Sequence, residues 1–243
     1  MRALRILLIV VVVLGGLFVA ADRLAVNFAE GEVADRLKTT ENLAATPDVS
    51  INGFPFLTQL AGSTLDDVEV GIKDYEAAAG DGERIRIDDL TANMKGVEFS
   101  GDYSSATAAS ATGTATIAYD ELLKAAKSEP TEVAPGVTAR VVSLSDGGNG
   151  KIKVGLEVEA PVIGTREMSV LSTVSVKGDT VEVRTDSLPD LAGLDLAEDS
   201  VREITDFQQA IDDLPGGIQL DKVEAAPNGV EISVQGSNVQ LAG

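Results

Sequence analysis

The sequence has no cysteine, no histidine and no tryptophan among its 243 residues. The lack of cysteine excludes a disulfide framework, a thiol nucleophile and a cysteine-ligated zinc site. The lack of histidine excludes a Ser–His–Asp triad, an imidazole general base and a histidine-ligated metal. The remaining classes are an enzyme that uses carboxylates, a binding protein for apolar or small ligands, and a structural module.

Basic and aromatic residues are also scarce. The chain has 19 Lys and Arg against 39 Asp and Glu, a formal charge of −20, with six Phe and three Tyr. Nucleic-acid-binding proteins carry basic patches and aromatic stacking platforms, so this composition argues against nucleic acid as a partner. We expect no cofactor and no metal, since the turn at Asp146–Lys151 fits neither a phosphate loop nor an EF-hand.

The N-terminal segment is apolar. Arg2 and Arg5 precede Ile6–Ala21, a stretch without a charged residue. A membrane-spanning helix needs roughly 20 apolar residues and a signal-peptide core about 7–15, so both interpretations stay open. The two Arg place the N-terminus in the cytoplasm under either one. We predict that residues 1–21 are a signal peptide or transmembrane anchor and that residues 22–243 form a single extracytoplasmic domain.

Helical periodicity appears twice beyond the apolar segment. A four-residue period over Asp22–Leu37 predicts a helix with Leu24 and Phe28 one turn apart. The second pattern begins with a capping box at Ser200 and predicts a helix that runs to Leu214. An uncleaved anchor would run directly into the first of these helices.

Between and after these helices the hydrophobic period is two, which indicates strands. Half-buried antiparallel sheets need cover on their apolar face, so we predict the α+β class. The expected architecture is a long curved antiparallel β-sheet wrapped around a helix, or a sandwich. The clearest alternating stretches lie around residues 49–51, 68–72, 85–87, 112–119, 137–144, 151–159, 166–176, 180–184, 218–225 and 230–234.

The most distinctive segment is Ile51–Leu60, which brings two of the six Phe and two Leu around one Pro. Proline removes a ladder donor and favours an extended residue before it, so we expect a strand edge or exit. Apolar side chains there would form the mouth or wall of a hydrophobic groove, contact a membrane, or serve as ordinary core residues. The candidate lipid-binding residues are Phe54, Pro55, Phe56, Leu57 and Leu60.

Charged side chains supply competing candidates. Paired carboxylates could serve a glycosidase, but with 39 acidic residues such pairs arise by chance, and we expect a solvated surface. Two basic pairs, at positions 84 and 86 and at positions 151 and 153, could receive a lipid phosphate or simply face solvent. The acidic pairs are Asp66–Asp67, Asp88–Asp89, Asp120–Glu121, Glu198–Asp199 and Asp212–Asp213.

Asp48–Leu60, followed by Asp67–Val70, resembles the characteristic segment of the LmeA family of actinobacterial phospholipid-binding envelope proteins. Weaker similarities at Ile117–Leu122, Leu214–Leu220 and Val239–Leu241 extend the resemblance over about residues 20–241. It implies a tubular lipid-binding fold with an apolar groove. It also implies phospholipid ligands, phosphatidylinositol types among them, and a non-catalytic role in the assembly of envelope lipids or lipoglycans.

The leading hypothesis is therefore a lipid-binding module at the extracytoplasmic face of the cell membrane, with the N-terminal helix in the membrane if it is not cleaved. Two alternatives stay open. A structural envelope scaffold would have a filled core, and a carboxylate-based hydrolase would have a polar pocket with two convergent acids. Cavity volume separates the first alternative from the lipid-binding hypothesis, and cavity polarity separates the second.

Overall fold

Strands dominate the computed structural model of the protein, which describes residues 2–78, 84–102, 104–125, 129–161, 164–178, 180–186, 198–210 and 217–242. The helices and strands in chain order are α1 (Arg2–Thr40), β1 (Asp48–Asn52), α2 (Phe56–Ala61), β2 (Thr64–Ala78), β3 (Arg84–Phe99), β4 (Ala106–Ala118), α3 (Tyr119–Ala125), β5 (Thr131–Ala134), β6 (Val137–Gly148), β7 (Lys151–Ala160), β8 (Gly164–Lys177), β9 (Thr180–Thr185), α4 (Glu198–Thr205), β10 (Phe207–Ala210), β11 (Ile218–Ala226) and β12 (Gly229–Ala242).

The strands form two six-stranded antiparallel sheets, ordered β1–β2–β3–β4–β12–β11 and β10–β9–β8–β7–β6–β5. The first sheet is long and curls into a half-barrel, and α1 lies beside it. These features confirm the predicted α+β class with a long curved antiparallel sheet and an N-terminal helix. The long alternating stretches of the sequence lie within these strands, since strand side chains point alternately to the two faces of a sheet.

One face of the first sheet carries the core, and we call it the inner face. Its apolar side chains come from alternate positions, such as Val68 and Val70 on β2. At Gly96, where φ is +59°, the alternation shifts by one residue, so that Met94 and Val97 both contribute to the core. The inner face is therefore apolar along its length although the strands are irregular.

The core divides into two clusters. The larger lies between the second sheet and strands β11 and β12, and its most buried side chains are Leu156, Val158 and Val133. The smaller lies at the other end of the inner face, where α1 and α2 cover the sheet. Its buried members are Val26, Ile51, Phe56, Leu65, Val97, Ala106, Ala108, Ala111 and Val239. The inner face is thus covered at both ends by different elements.

The helix predicted to run from the Ser200 capping box to Leu214 is shorter than expected. It begins at Glu198 and ends at Thr205, and the chain then forms strand β10, which pairs with β9. The Asp206 carboxylate accepts a hydrogen bond from the Thr185 amide at 2.8 Å, which ties the helix end to the end of β9. Strand pairing therefore overrides the helical period, and the remainder of the predicted helix lies outside the described residues.

One tyrosine connects the end of β4 to the end of β11. The Tyr119 hydroxyl donates a hydrogen bond of 2.9 Å to the Ala226 carbonyl. Burial raises the pKa of Tyr119 to about 12, and the charge of Asp146 adds to the increase. Because the folded protein binds this proton more tightly than the unfolded chain, its contribution to stability is complete below pH 10 and is lost between about pH 10 and 12.

We expect an absorbance titration at alkaline pH to show one phenol that ionises near pH 12 while circular dichroism still reports folded protein. The Tyr119→Phe variant should lack this late component, because the substitution removes the phenol. Its free energy of unfolding, measured with urea, should fall by the amount expected for one hydrogen bond, about 1 kcal/mol. Ionisation of every tyrosine in one transition near pH 10 would contradict the assignment.

Candidate functional site

The apolar N-terminal segment and the predicted first helix form one unbroken helix, α1. Large apolar side chains between Leu4 and Val19 are at least two-fifths exposed, so this part makes little contact with the domain. Of the described helices, α1 alone has the length and composition to cross a membrane, with a mean hydropathy of 2.8 in its most apolar window. A signal sequence has the same composition. The helix runs through the predicted cleavage position at Ala21 without a break.

The contact between α1 and the domain begins at Asp22. Its side chain is fully buried, and its carboxylate accepts a hydrogen bond from the Leu57 amide at 2.9 Å. Arg23 donates to the same carboxylate at 2.8 Å. Two turns further on, Glu30 accepts a hydrogen bond of 2.8 Å from the Ile51 amide on edge strand β1. These two carboxylates join the helix to backbone amides in the first turn of α2 and on edge strand β1.

The residues that α1 buries differ from the apolar row that the sequence suggested. The buried positions are Asp22, Val26 and Ala34. Leu24 and Phe28 point away from the domain, with 71% and 76% of their surfaces exposed. The period-four pattern identified the helix, but two apolar rows lie side by side on it. The buried carboxylate decides which row meets the domain, because a charged group is buried only where it is hydrogen-bonded.

The five predicted site residues are split between the interior and the surface. Phe56 is 4% exposed and belongs to the smaller core cluster, and Leu57 is half-buried against it. Pro55 is half-buried, whereas Phe54 is 56% and Leu60 is 40% exposed. Phe56 is therefore a core residue, whereas Phe54 lies at the surface. A role of any of them in lipid binding remains a prediction.

The loop that presents Phe54 has a defined conformation. The Arg23 guanidinium lies over the Phe54 ring, 5.2 Å from its centroid. Gly53 has φ of +100°, and a Cβ there would lie 2.6 Å from the Gln59 side-chain nitrogen, so the position requires glycine. Gln59 in turn accepts a hydrogen bond of 2.7 Å from the Asp66 amide. The loop therefore holds Phe54 at the point where α1 meets the domain.

Between the two core clusters, the inner face carries a strip that we call the inner-face groove. It consists of two adjacent rows of register partners on β2, β3, β4 and β12, and every member is half-buried. In the first row, small residues form the middle and larger ones flank them, whereas the second row has one small residue, on β4. The β2 and β3 members belong to neither core cluster. The rows are Val70, Ala92, Gly113 and Val234, then Ile72, Leu90, Ala115 and Ile232.

The opposite face of the same sheet is polar. It has an open depression of about 340 Å³ lined by side chains such as Asp48, Glu69 and Asn93. Asn93 donates hydrogen bonds to Asp67 at 2.9 Å and to Glu69 at 3.1 Å. These carboxylates are thus engaged with an amide. At this level of the sheet, the inner face is apolar and the opposite face is polar.

The charged candidates are mostly paired with opposite charges. Arg86 lies 3.2 Å from Asp88 and 3.8 Å from Glu121, and Asp88 is the main cause that raises the pKa of Arg86. The Lys124 ammonium, 2.5 Å away, lowers the pKa of Glu121. Lys151 pairs at 2.6 Å with Asp186, the residue after β9. Within the described part of the chain, no group of three acidic residues is placed to hold a metal ion. The pair Asp212–Asp213 lies outside it.

Sequence reasoning missed two elements of this arrangement. The role of Asp22 and Glu30 as acceptors for backbone amides of the domain was not predicted. Their spacing, with Val26 between them and Ala34 after them, was the available signal. The inner-face groove was also missed, because only strand register shows that Ala92 and Gly113 are neighbours.

Comparison with known protein families gives a match for this chain. A sequence model of the LmeA-like phospholipid-binding family matches residues 20–235, which include Asp22, the Phe54 loop and every strand of the groove except the last residues of β12. No curated protein and no solved structure matches the chain. The match confirms the resemblance seen in the sequence and supports phospholipid binding. The chain belongs to the LmeA-like phospholipid-binding family.

Proposed function

We propose that the protein is a non-catalytic phospholipid-binding protein that holds an acyl chain in the inner-face groove. The observation that carries the proposal is the half-buried apolar strip between two packed clusters, in a chain of a phospholipid-binding family. An acyl chain laid across Ala92 and Gly113 would contact the flanking side chains of Val70 and Val234. Each methylene removed from water there contributes about 0.8 kcal/mol, so a few contacts give useful affinity.

The Phe54 loop is the proposed mouth of this groove. Phe56 and Leu57 pack in the cluster that includes Val68 and Met94 at its margin. Those two residues lie directly beside the first groove row on β2 and β3. The predicted site residues therefore adjoin the groove through a continuous apolar surface. Under this proposal Phe56 and Leu57 support the wall, while Phe54, Pro55 and Leu60 form the rim.

The proposed location is the extracytoplasmic face of the membrane, with α1 as an uncleaved anchor and residues 22–243 as one domain. Arg2 and Arg5 support the orientation, and the unbroken helix supports the anchor. A phosphatidylinositol-type ligand and a role in envelope lipid or lipoglycan assembly are parts of the proposal that rest on the family resemblance. The charge of −20 favours a headgroup that stays in solvent rather than one that lies against the acidic surface.

Photo-crosslinking tests the groove directly. The full chain is reconstituted in vesicles that contain phosphatidylcholine with a diazirine at the end of one acyl chain, irradiated, and digested for mass spectrometry. We expect lipid adducts on β2, β3, β4 and β12 in addition to α1, and an excess of phosphatidylinositol should reduce the strand adducts if it is the preferred ligand. Adducts confined to α1 would show that acyl chains contact only the anchor and would contradict the proposal.

A further inference from the structure

The exposed apolar row of α1 continues past the point where the domain attaches. Leu17, Leu24 and Phe28 are spaced by seven and four residues, so they lie on one side of the helix, and all three are exposed. Asp22, Val26 and Ala34 on another side are buried by the domain. The helix therefore has an apolar, outward side at the same level as its junction with the domain.

The length of the apolar part of α1 determines which of its residues lie at the bilayer surface. The uncharged stretch from residue 6 to 21 rises only about 24 Å at 1.5 Å per residue. The hydrocarbon core of a bilayer is about 30 Å thick, so this stretch alone falls short. Extending the apolar side to Phe28 gives about 35 Å, which is sufficient. An anchored helix would thus place Leu24 and Phe28 at the bilayer surface, and the domain would meet α1 at the same level.

The Phe54 loop lies at this level. Arg23, one residue before Leu24, has its guanidinium 5.2 Å from the Phe54 ring centroid. The buried Asp22 carboxylate fixes the distance between helix and loop through the Leu57 amide. Phenylalanine is one of the apolar residues that interfacial elements insert at the boundary between headgroups and acyl chains, and arginine keeps its charged end at that boundary. More than half of the Phe54 surface is exposed, so in water the ring lacks an apolar environment.

We propose that the Phe54 loop rests in the interfacial region of the bilayer, held there by Asp22, so that the rim of the groove opens onto the outer leaflet. The occupant of this surface is the lipid bilayer itself. The inference rests on the part of the proposed function in which α1 stays in the membrane. It adds a path by which a lipid enters the groove without crossing water. The domain then collects lipid from the membrane on which it stands, and its acidic remainder projects into solvent.

The cysteine-free chain allows a clean test by single-cysteine labelling. Phe54→Cys, Phe28→Cys, Asp35→Cys and Ser145→Cys variants of the full chain each carry an environment-sensitive NBD label, in vesicles of phosphatidylcholine with a minor share of phosphatidylglycerol. Lipids with a nitroxide near the top of the acyl chain serve as quenchers. We expect strong quenching and blue-shifted emission at positions 54 and 28. Position 35, further along α1, and position 145, in the second sheet, should report water.

Three outcomes would overturn the inference. Quenching at position 28 with a water-like signal at position 54 would mean that the loop stands clear of the bilayer. Protection at position 54 that appears only at high protein density, with energy transfer between differently labelled copies, would identify a second copy of the chain as the occupant. Water-like signals at both positions in protein that still yields strand adducts would leave phospholipid binding intact and remove only the membrane contact.

Discussion

Replacing Asp22 with alanine should detach α1 from the Phe54 loop while leaving both sheets folded. The Asp22 carboxylate is the acceptor for the Leu57 amide and the partner of Arg23, and the side chain is inaccessible to solvent. Alanine offers no acceptor, so a buried amide would lose its partner. Hydrogen exchange measured by mass spectrometry should be faster at the start of α2 by about ten- to a hundredfold, the factor that corresponds to an orphaned buried donor.

The same substitution should move the labelled loop. In the vesicle assay, Asp22→Ala combined with Phe54→Cys should lose most of its quenching by the nitroxide lipid, whereas Phe28→Cys in the same background should keep it. The helix would remain in the bilayer by its apolar length, but the loop would no longer be held against it. This difference separates a lost connection from a lost anchor.

Asp35→Ala is the matched control, because Asp35 lies on the same helix and its side chain is exposed. Hydrogen exchange and loop quenching should both match those of the unmodified chain. Asp22→Asn should give an intermediate effect, since the amide oxygen still accepts one hydrogen bond but carries no charge for Arg23. Unchanged exchange of the Leu57 amide in Asp22→Ala would show that the carboxylate does not hold the loop.

The sequence predicted the fold well where the hydrophobic period is strong. Alternation over Lys151–Glu159 and 166–176 gives β7 and β8, because each strand has one buried face and one exposed face. Prediction failed where a pairing partner overrides the local pattern. Phe207 continues the helical period of α4, but the chain pairs with β9 from that residue onward. Local periodicity contains no information about pairing with a strand that is distant in the sequence.

The candidate site was predicted in part. The apolar loop around Pro55 was identified from composition, but its side chains divide into a buried Phe56 and an exposed Phe54, which only the turn geometry determines. The groove could not be predicted, because its rows join residues up to 164 positions apart, from Val70 to Val234. Four strands in one register are required to bring these side chains together, and register depends on the whole sheet.

Filling the groove should abolish lipid binding without unfolding the protein. Ala92 is half-buried in the middle of the first row, between Val70 and Gly113. Its replacement by phenylalanine would occupy the inner face between Val70 and Gly113, which we assign to the acyl chain; over Gly113 itself, the Val234 side chain already lies 3.0 Å from where a Cβ would be. If the ring excludes three methylenes at about 0.8 kcal/mol each, affinity should fall by roughly fiftyfold. In the crosslinking assay, adducts on the strands should disappear while adducts on α1 persist.

Ser110→Phe provides the control, because Ser110 is exposed on β4 one residue before the buried Ala111 and so points to the opposite face of the same sheet. It adds the same ring to the same sheet and should leave the strand adducts unchanged. Ala92→Ser, which changes polarity without filling space, should reduce the adducts only slightly. Undiminished strand adducts in a folded Ala92→Phe variant, verified by circular dichroism, would mean that acyl chains bind elsewhere. The inner-face groove would then be only a gap in the packing between the two core clusters.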